Sequence, residues 1–202
     1  MAQKYLLVRE NPYKGGGQVE TPPNNEIWYT STDGNIVTPN KETGFGANIV
    51  SNTYENDRGV IEFDGDVTSI GNEAFKLCKT LTSITIGNGV TSIGNSAFYH
   101  CDKLASITLS DNLTSIGDIC FSYCTKLALV ILPSSITSIN YWAFSYCFSL
   151  TSITIKAKTP PTFGKYIFNG ADTKYVYVPS DSVEAYKTAT NFTTYVDKIK
   201  GI

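Results

Sequence analysis

VTSIGNEAFKLCKTLTSITIGNG, residues 67–89, is followed by three variants of itself that begin at residues 90, 113 and 136. They read VTSIGNSAFYHCDKLASITLSDN, LTSIGDICFSYCTKLALVILPSS and ITSINYWAFSYCFSLTSITIKAK, with no insertion between them. Self-similarity at a fixed period of about 20 to 50 residues marks a repeat architecture in which each copy stacks on its neighbours. The period of 23 residues therefore predicts a solenoid with one turn per copy.

Each copy contains an apolar pair two positions apart, which in the first copy is Ile84 and Ile86. Side chains alternate between the faces of a strand, so such a pair predicts the buried side of a short strand. Two degenerate pairs extend the pattern by one period on each side: Ile61 with Phe63, and Val176 with Val178. The pattern predicts six stacked parallel strands, in a sheet on the order of 24 Å long.

Two other columns describe the opposite wall of the predicted solenoid. One holds a phenylalanine in every copy: Phe75, Phe98, Phe121 and Phe144. Each phenylalanine follows a small residue, and this combination predicts a short helical turn with a buried ring. The other column holds Gly71, Gly94, Gly117 and Asn140. Glycine and asparagine are the residues that most readily adopt positive φ, so this column predicts a backbone position with positive φ.

The flanking segments are predicted to cap the open edges of the stack, because unprotected strand edges invite aggregation. EIWYTSTDGNIVTP contains Asp33-Gly34 between apolar residues, which predicts a hairpin over residues 26–38. After Pro179, SDSVEAYKTA predicts a short amphipathic helix. The predicted division is a lead-in and β-hairpin cap over 1–59, the solenoid over 60–179 and a helical cap over 180–202.

The pattern G-x-x-A-F-x-x-C-x-x-L-T-S-I-T-I, from Gly71 to Ile86, resembles the BspA-type leucine-rich repeat over residues 60–179. This family is common in surface and secreted proteins of oral and gut anaerobes and of some parasitic protists. The resemblance implies an α/β, right-handed leucine-rich repeat solenoid with 23-residue coils. A parallel β-sheet would form one face and short helical turns the other, between an N-terminal β cap and a C-terminal helical cap. It also implies adhesion or host-protein binding at the cell surface or outside the cell, without transferable catalytic residues.

Composition argues against several classes of partner. Charged residues make up 17% of the chain and the net charge is −2, so no basic patch for nucleic acid or anionic lipid is predicted. The apolar run from Tyr5 to Val8 is too short for a signal-peptide core, and no later stretch approaches a membrane span. Gly15 to Gly17 is interpreted as a flexible lead-in.

The potentially reactive residues form no recognisable catalytic set. Cys78, Cys101, Cys124 and Cys147 repeat every 23 residues, and Cys120 stands apart. Facing thiols in adjacent turns could form a disulfide or hold a metal, but a buried ladder of reduced thiols is the favoured interpretation. The single histidine, His100, is interpreted as a solvated variant position. We expect no enzyme activity, cofactor or metal.

Positions that depart from the repeat consensus are candidates for partner contacts, because inward columns are constrained by stacking. In the outward columns of the sheet, Leu129 and Ile131 interrupt a series of serines and threonines, and Tyr175 and Tyr177 lie two turns later. These four residues form the first predicted binding site. The alternative is that the C-terminal cap folds over the two tyrosines.

The fourth copy carries aromatic residues on the turn side, where earlier copies are mostly polar. The second predicted binding site consists of Tyr141, Trp142, Tyr146 and Phe148. The alternative, favoured for Trp142, is that residues 157–172 pack over the cluster.

The leading functional hypothesis is a non-enzymatic protein-binding module that acts through its sheet face. A carbohydrate-binding module is a second hypothesis, with Trp28, Tyr29 or Trp142 as stacking platforms for sugar rings. A structural spacer of a larger surface assembly is a third.

Overall fold

The computed structural model describes residues 20–40 and 44–202, so the N-terminal run and the triple glycine lie outside the described residues. The strands are, in chain order, β1 (Glu26–Ser31), β2 (Ile49–Glu55), β3 (Arg58–Phe63), β4 (Ser69–Ile70), β5 (Leu81–Ile86), β6 (Ser92–Ile93), β7 (Ser106–Thr108), β8 (Ser115–Ile116), β9 (Leu129–Leu132), β10 (Ser138–Ile139), β11 (Ser152–Ile155), β12 (Thr162–Phe163), β13 (Tyr175–Val178) and β14 (Ile199–Gly201). Helical structure in the described chain is limited to α1 (Val183–Lys187) and two 3₁₀ segments, Ser180–Ser182 and Thr193–Lys198.

The repeats stack as a leucine-rich repeat fold, with parallel strands on two walls. A narrow sheet has the order β12-β10-β8-β6-β4, and all its neighbours are parallel. A broad sheet contains two runs of strands, β2-β3-β1-β5-β7 and β14-β13-β11-β9. Paired residues such as Ser83 and Ser106 lie one sequence period apart. The period decides the register because it brings equivalent columns of adjacent copies opposite each other.

The broad sheet has a seam between β7 and β9. These strands lie within contact distance, but no ladder of hydrogen bonds joins them among the described strand pairs. Ile107 in β7 is only partly buried, whereas Ile84 and Val130, in the same column of the flanking copies, are buried. The narrow sheet is continuous at this level, because Ser92 pairs with Ser115. The seam is therefore confined to one wall.

The wall opposite the broad sheet consists of hydrogen-bonded turns, and the predicted helical turns are not observed there. Alternate N–H groups donate to the next copy: Phe75 N–H bonds to the carbonyl of Ala97 at 2.7 Å, whereas Lys76 N–H bonds locally to Glu73 at 3.1 Å. A helix would use all these groups within one segment. Two columns hold positive φ: Glu73, Ser96, Ile119 and Trp142 in one, and Leu77, His100, Tyr123 and Tyr146 in the other.

The glycine column was predicted to have positive φ, and this prediction is wrong. Among the described glycines, positive φ occurs at Gly34, Gly46 and Gly170, and not at Gly94 or Gly117. A Cβ atom added to Gly94 would lie 2.5 Å from Asn72 Oδ1 and 2.7 Å from the Asn72 backbone nitrogen. At Gly94 and Gly117 the preceding copy therefore lies too close for a Cβ atom, whereas the fourth copy accommodates Asn140 in the same column. The Asn72 side chain uses this proximity to accept a hydrogen bond from Asn95 N–H at 2.8 Å.

The core is built from ladders of identical residues. Phe75, Phe98, Phe121 and Phe144 are fully buried, and their rings stack at 5.1–5.3 Å with interplanar angles of 2–6°. All five cysteines are free thiols, and four are buried. The sulfur of Cys101 donates to the Phe75 carbonyl at 3.0 Å, and the next two cysteines of the ladder repeat this contact. Cys101, Cys124 and Cys147 therefore form a ladder of buried thiols.

The N-terminal strands differ from the prediction. No hairpin covers residues 26–38, because Val37 N–H donates to the hydroxyl of Tyr29 and the segment forms no second strand. The hairpin is instead β2-β3, whose turn contains Asn56 and Asp57 with positive φ. β1 inserts antiparallel between β3 and β5, so Ile61 and Phe63 are not in the strand adjacent to β5. The hairpin also crosses the predicted boundary at residue 59, and the division of the chain into domains stays a prediction.

At the C-terminal end, β13 pairs with β11 in parallel, as expected from the period. The predicted helix is present as α1, where Tyr186 is buried and donates its hydroxyl to the carbonyl of Ala157 at 2.8 Å. The ring of Phe192 stacks on Phe163 at 4.0 Å. β14 adds a further parallel strand beside β13, with Ile199 opposite Val176, and the sequence interpretation missed it.

Candidate functional site

The four residues of the first predicted site lie on β9 and β13 of the broad sheet, with β11 between the two strands. Leu129 on β9 pairs with Ser152 on β11, which pairs with Tyr175 on β13. The row beside it contains Ile131, Thr154 and Tyr177. We call these six residues the sheet patch. Since adjacent strands are about 4.8 Å apart, the aliphatic and aromatic pairs are separated by about 10 Å.

Apolar side chains of the sheet patch are accessible. Leu129 is 50% exposed and Tyr175 is 45% exposed, while Ile131 and Tyr177 are partly buried. The rings of Tyr175 and Tyr177 lie 5.9 Å apart, inclined by 27°. Their strand is hydrogen-bonded on both sides, so the rings stand on a backbone held by two neighbours.

The C-terminal segment extends the sheet and leaves the tyrosines uncovered. β14 pairs with the outer edge of β13, with Lys200 opposite Tyr177. A strand at the edge makes the sheet wider and leaves its outer face open. The alternative interpretation required the C-terminal segment to lie across that face, over Tyr175 and Tyr177. On the other side of the sheet patch, the same columns continue as small hydroxyl residues: Ser83, Thr85, Ser106 and Thr108. The sheet patch therefore consists of an aliphatic pair and an aromatic pair on either side of Ser152 and Thr154. Its rows continue into neutral hydroxyls on one side and reach Lys200 on the other.

The second predicted site is exposed on the turn side, and the favoured burial of Trp142 is wrong. Trp142 is 42% exposed, and Tyr141 and Phe148 are more than half exposed. Residues 157–172 do not cover the cluster because they continue the stack: Trp142 N–H donates to the Lys165 carbonyl at 3.2 Å. They add one more ring, Tyr166, 6.2 Å from Trp142 and nearly perpendicular to it. The sequence interpretation missed Tyr166, because it lies one residue out of period.

Tyr146 differs from the other members of this cluster because its ring is stacked within the fold. Its centroid lies 4.6 Å from Tyr123, which in turn stacks on His100 at 4.3 Å. On the next copy, Gly170 approaches so closely that an added Cβ would lie 2.7 Å from Tyr146 Cδ1. Tyr146 therefore has a structural role in the described fold, and it is only partly exposed.

His100 lies in a partly exposed cluster with Asp102 and Lys79. Its Nδ1 is 3.1 Å from Asp102 Oδ1, and Lys79 Nζ is 2.6 Å from Asp102 Oδ2. Partial burial alone would raise the pKa of Asp102, but the hydrogen bonds from Lys79 and His100 and the positive charge of Lys79 lower it below its ordinary value. Within residues 20–40 and 44–202, no group of three or more histidine, cysteine, aspartate or glutamate residues is arranged to hold a metal.

Two candidates for sugar stacking are located at the N-terminal strands. Tyr29 is buried and its hydroxyl donates to Asn52 Oδ1 at 2.7 Å, so it cannot serve as a platform. Trp28 is partly exposed on the broad sheet, but the Arg58 guanidinium lies 4.5 Å from its ring centroid. Its indole N–H donates to Glu26 Oε2 at 2.6 Å. Trp28 is thus engaged by cation–π and hydrogen-bond contacts.

A family model of BspA type leucine rich repeat regions matches residues 47–189 in six copies. The chain belongs to the BspA-type leucine-rich repeat family. The match begins before the four regular copies and includes the β2-β3 hairpin as well as α1. Membership of the family indicates a repeat scaffold of the kind that mediates protein interactions.

Solved structures of other leucine-rich repeat proteins are similar to this BspA-type chain. The leucine-rich repeat protein of T. pallidum is 30% identical with a TM-score of 0.56, over 61% of this chain and 56% of that protein. A leucine-rich repeat protein from Bacteroides ovatus is 23% identical with a TM-score of 0.45, over 67% of this chain and 40% of that protein. A leucine rich cell surface protein from Faecalibacterium prausnitzii is 22% identical with a TM-score of 0.37, over 82% of this chain and 55% of that protein.

The chain thus spans about half the length of these relatives. No curated protein sequence matches it. Among the described residues, no helix combines the length and the apolar character needed to cross a membrane.

Proposed function

We propose that this chain is a non-enzymatic protein-binding module that holds its partner on the sheet patch. The observation that carries the proposal is the joint departure of Leu129, Ile131, Tyr175 and Tyr177 from a hydroxyl-bearing surface. In the stacked fold Leu129 and Ile131 on β9 lie in the same rows as Tyr175 and Tyr177 on β13, with β11 between them, and Leu129 and Tyr175 are about half exposed. Aromatic residues on a rigid frame supply contact area at a small entropy penalty.

The proposal includes a right-handed solenoid with 23-residue coils, capped at both ends. The N-terminal strands β1 to β3 would cover one end of the broad sheet, and α1 with β14 would complete the other. Such caps protect the strand edges and keep the binding face in a fixed shape. In this arrangement the caps leave the sheet patch accessible, because β14 continues the sheet beside β13.

We place the module at the cell surface or outside the cell, in adhesion or in binding a host or neighbouring-cell protein. Membership of the BspA-type family supports this proposal. Its test is labelling of intact producing cells with a membrane-impermeant amine reagent. Labelling of the protein in intact cells is expected, and labelling only after lysis would contradict a surface location.

The binding site is tested with a variant that replaces Leu129, Ile131, Tyr175 and Tyr177 by serine. We expect it to fold, because the inward columns are unchanged, and to lose binding to any partner captured from a surface-protein array. The matched control replaces Ser83, Thr85, Ser106 and Thr108 by alanine, which changes the same columns on the adjacent copies. Equal capture by the serine variant and the unmodified chain would contradict the proposed site.

The structural-spacer hypothesis makes a different prediction, which is self-association. Sedimentation velocity at increasing concentration separates it from the binding hypothesis. A partner-binding module is expected to sediment as one species across the range. A concentration-dependent assembly that persists in the serine variant would favour the spacer function.

A further inference from the structure

We propose that the turn side carries a second, independent binding site, for a neutral carbohydrate, at the aromatic corner formed by Trp142 and Tyr166. The two rings lie 6.2 Å apart between centroids, with an interplanar angle of 76°. One ring therefore forms a floor and the other a wall. A sugar ring offers an apolar face for stacking on such a floor and hydroxyl groups for its surroundings.

The corner is rigid because its backbone is fixed by the repeat stack. Both residues occupy the left-handed region, with φ of 57° at Trp142 and 62° at Tyr166. The carbonyl of Trp142 accepts the Ser145 N–H at 3.1 Å, and the carbonyl of Tyr166 accepts the Asn169 N–H at 3.0 Å. A preorganised platform reduces the entropy lost on binding, which matters for a ligand with few contacts.

The exposed aromatic area matches the size of a small ligand. Four rings contribute to it: Tyr141, Trp142, Phe148 and Tyr166, with exposed fractions of 53%, 42%, 55% and 56%. Each ring offers about 100 Å², so the four together offer about 400 Å². Stable protein interfaces bury about 800 Å² on each partner. A protein partner would have to extend well beyond the four rings, whereas the rings alone can contact a ligand of a few sugar units.

The charges around the corner favour an uncharged ligand. Asp118 and Lys165 occupy positions equivalent to Tyr141 in the preceding and following copies, so opposite charges flank that tyrosine. A neutral hydrogen-bonding group, the exposed amide of Asn169, lies three residues after Tyr166 and donates to the Tyr146 hydroxyl at 3.4 Å. Neutral polar groups beside stacked rings are the combination that recognises hydroxyl-rich ligands.

The test is affinity electrophoresis of the full chain in native gels that contain galactomannan, xyloglucan, laminarin or hydroxyethylcellulose. Retardation in at least one of these neutral polysaccharides is expected. Trp142→Ala and Tyr166→Ala are each expected to weaken the apparent affinity at least tenfold. Glu73→Ala and Ser96→Ala are matched controls, because these residues share the left-handed column of Trp142 and carry no ring.

Folding and specificity are checked in the same experiment. If Trp142→Ala does not fold, Trp142→Gly removes the same ring and accepts the positive φ. Absence of retardation in all four gels, or equal retardation of the Trp142 variant, would overturn the proposal. Stronger retardation by polygalacturonate or heparin would also overturn it, because both are polyanions. The serine variant of the sheet patch is expected to keep its carbohydrate binding, so the two proposals can fail separately.

Discussion

The phenylalanine ladder provides the most direct test of how the repeats stabilise one another. Phe98 and Phe121 are fully buried, and their rings stack at 5.1 Å with an interplanar angle of 4°. The experiment combines Phe98→Leu, Phe121→Leu and the double variant in a double-mutant cycle. Leucine keeps the position apolar while it removes the ring.

The expected energies follow from the number of stacked neighbours. Phe121 stacks on Phe98 and on Phe144. Each aromatic pair contributes about 0.5 to 1.5 kcal/mol beyond burial, so the loss of two pairs destabilises by about 1 to 3 kcal/mol. The change in shape adds up to about 1.5 kcal/mol. In the double variant the shared pair is lost only once, so it is less destabilised than the sum of the singles by about 0.5 to 1.5 kcal/mol.

The assay is equilibrium unfolding in urea, followed by near-ultraviolet and far-ultraviolet circular dichroism. The two signals must give coincident transitions, because repeat proteins can lose cooperativity. The control cycle combines Phe75→Leu with Phe144→Leu, two residues that share no ring partner. Its coupling energy is expected to be within about 0.5 kcal/mol of zero.

Two results would refute this reasoning. A coupling energy near zero for Phe98 and Phe121 would mean that the ladder acts only through burial of separate apolar residues. A coupling energy of equal size in the control cycle would mean that the variants disturb the whole stack, so that the effect could not be assigned to adjacent rings.

Three further predictions test other features of the fold. Gly94→Ala and Gly94→Asn are both expected to destabilise the protein by about 1 to 3 kcal/mol in urea unfolding, because the added Cβ would meet the preceding copy. The control is Gly65→Ala, because a Cβ atom has room at that position. If asparagine were tolerated at residue 94 and alanine were not, the result would support a positive φ instead. Burial raises the pKa of Cys78 to about 11 and of Cys147 to about 12, so little thiolate is present at pH 8. An aromatic disulfide reagent is therefore expected to react slowly with the native protein and rapidly with the protein unfolded in urea. Rapid reaction with the native protein would contradict the buried ladder. Amide hydrogen exchange is expected to be faster at the facing edges of β7 and β9 than between β5 and β7, and equal protection would argue against the seam.

Several features of the candidate sites could be predicted from the sequence. The repeat places Leu129 and Tyr175 in one outward column, and the strand register aligns them in one row. The accessibility of Trp142 could not be predicted in this way. It depends on whether the following segment covers the ring or continues the stack, and the extra residue before Tyr166 hides the continuation of the pattern.

The sequence by itself determined the period, the leucine-rich repeat fold and the residues that form the core ladders. This is possible because every copy meets an equivalent copy, so residues one period apart contact each other. Only the tertiary structure decided that β1 inserts between β3 and β5, that β14 extends the sheet, and that Gly94 is needed for close approach. The flanking strands make contacts that occur once, between segments distant in the chain. Local patterns show which side of a strand is buried, but they contain no information about which distant strand will be its neighbour.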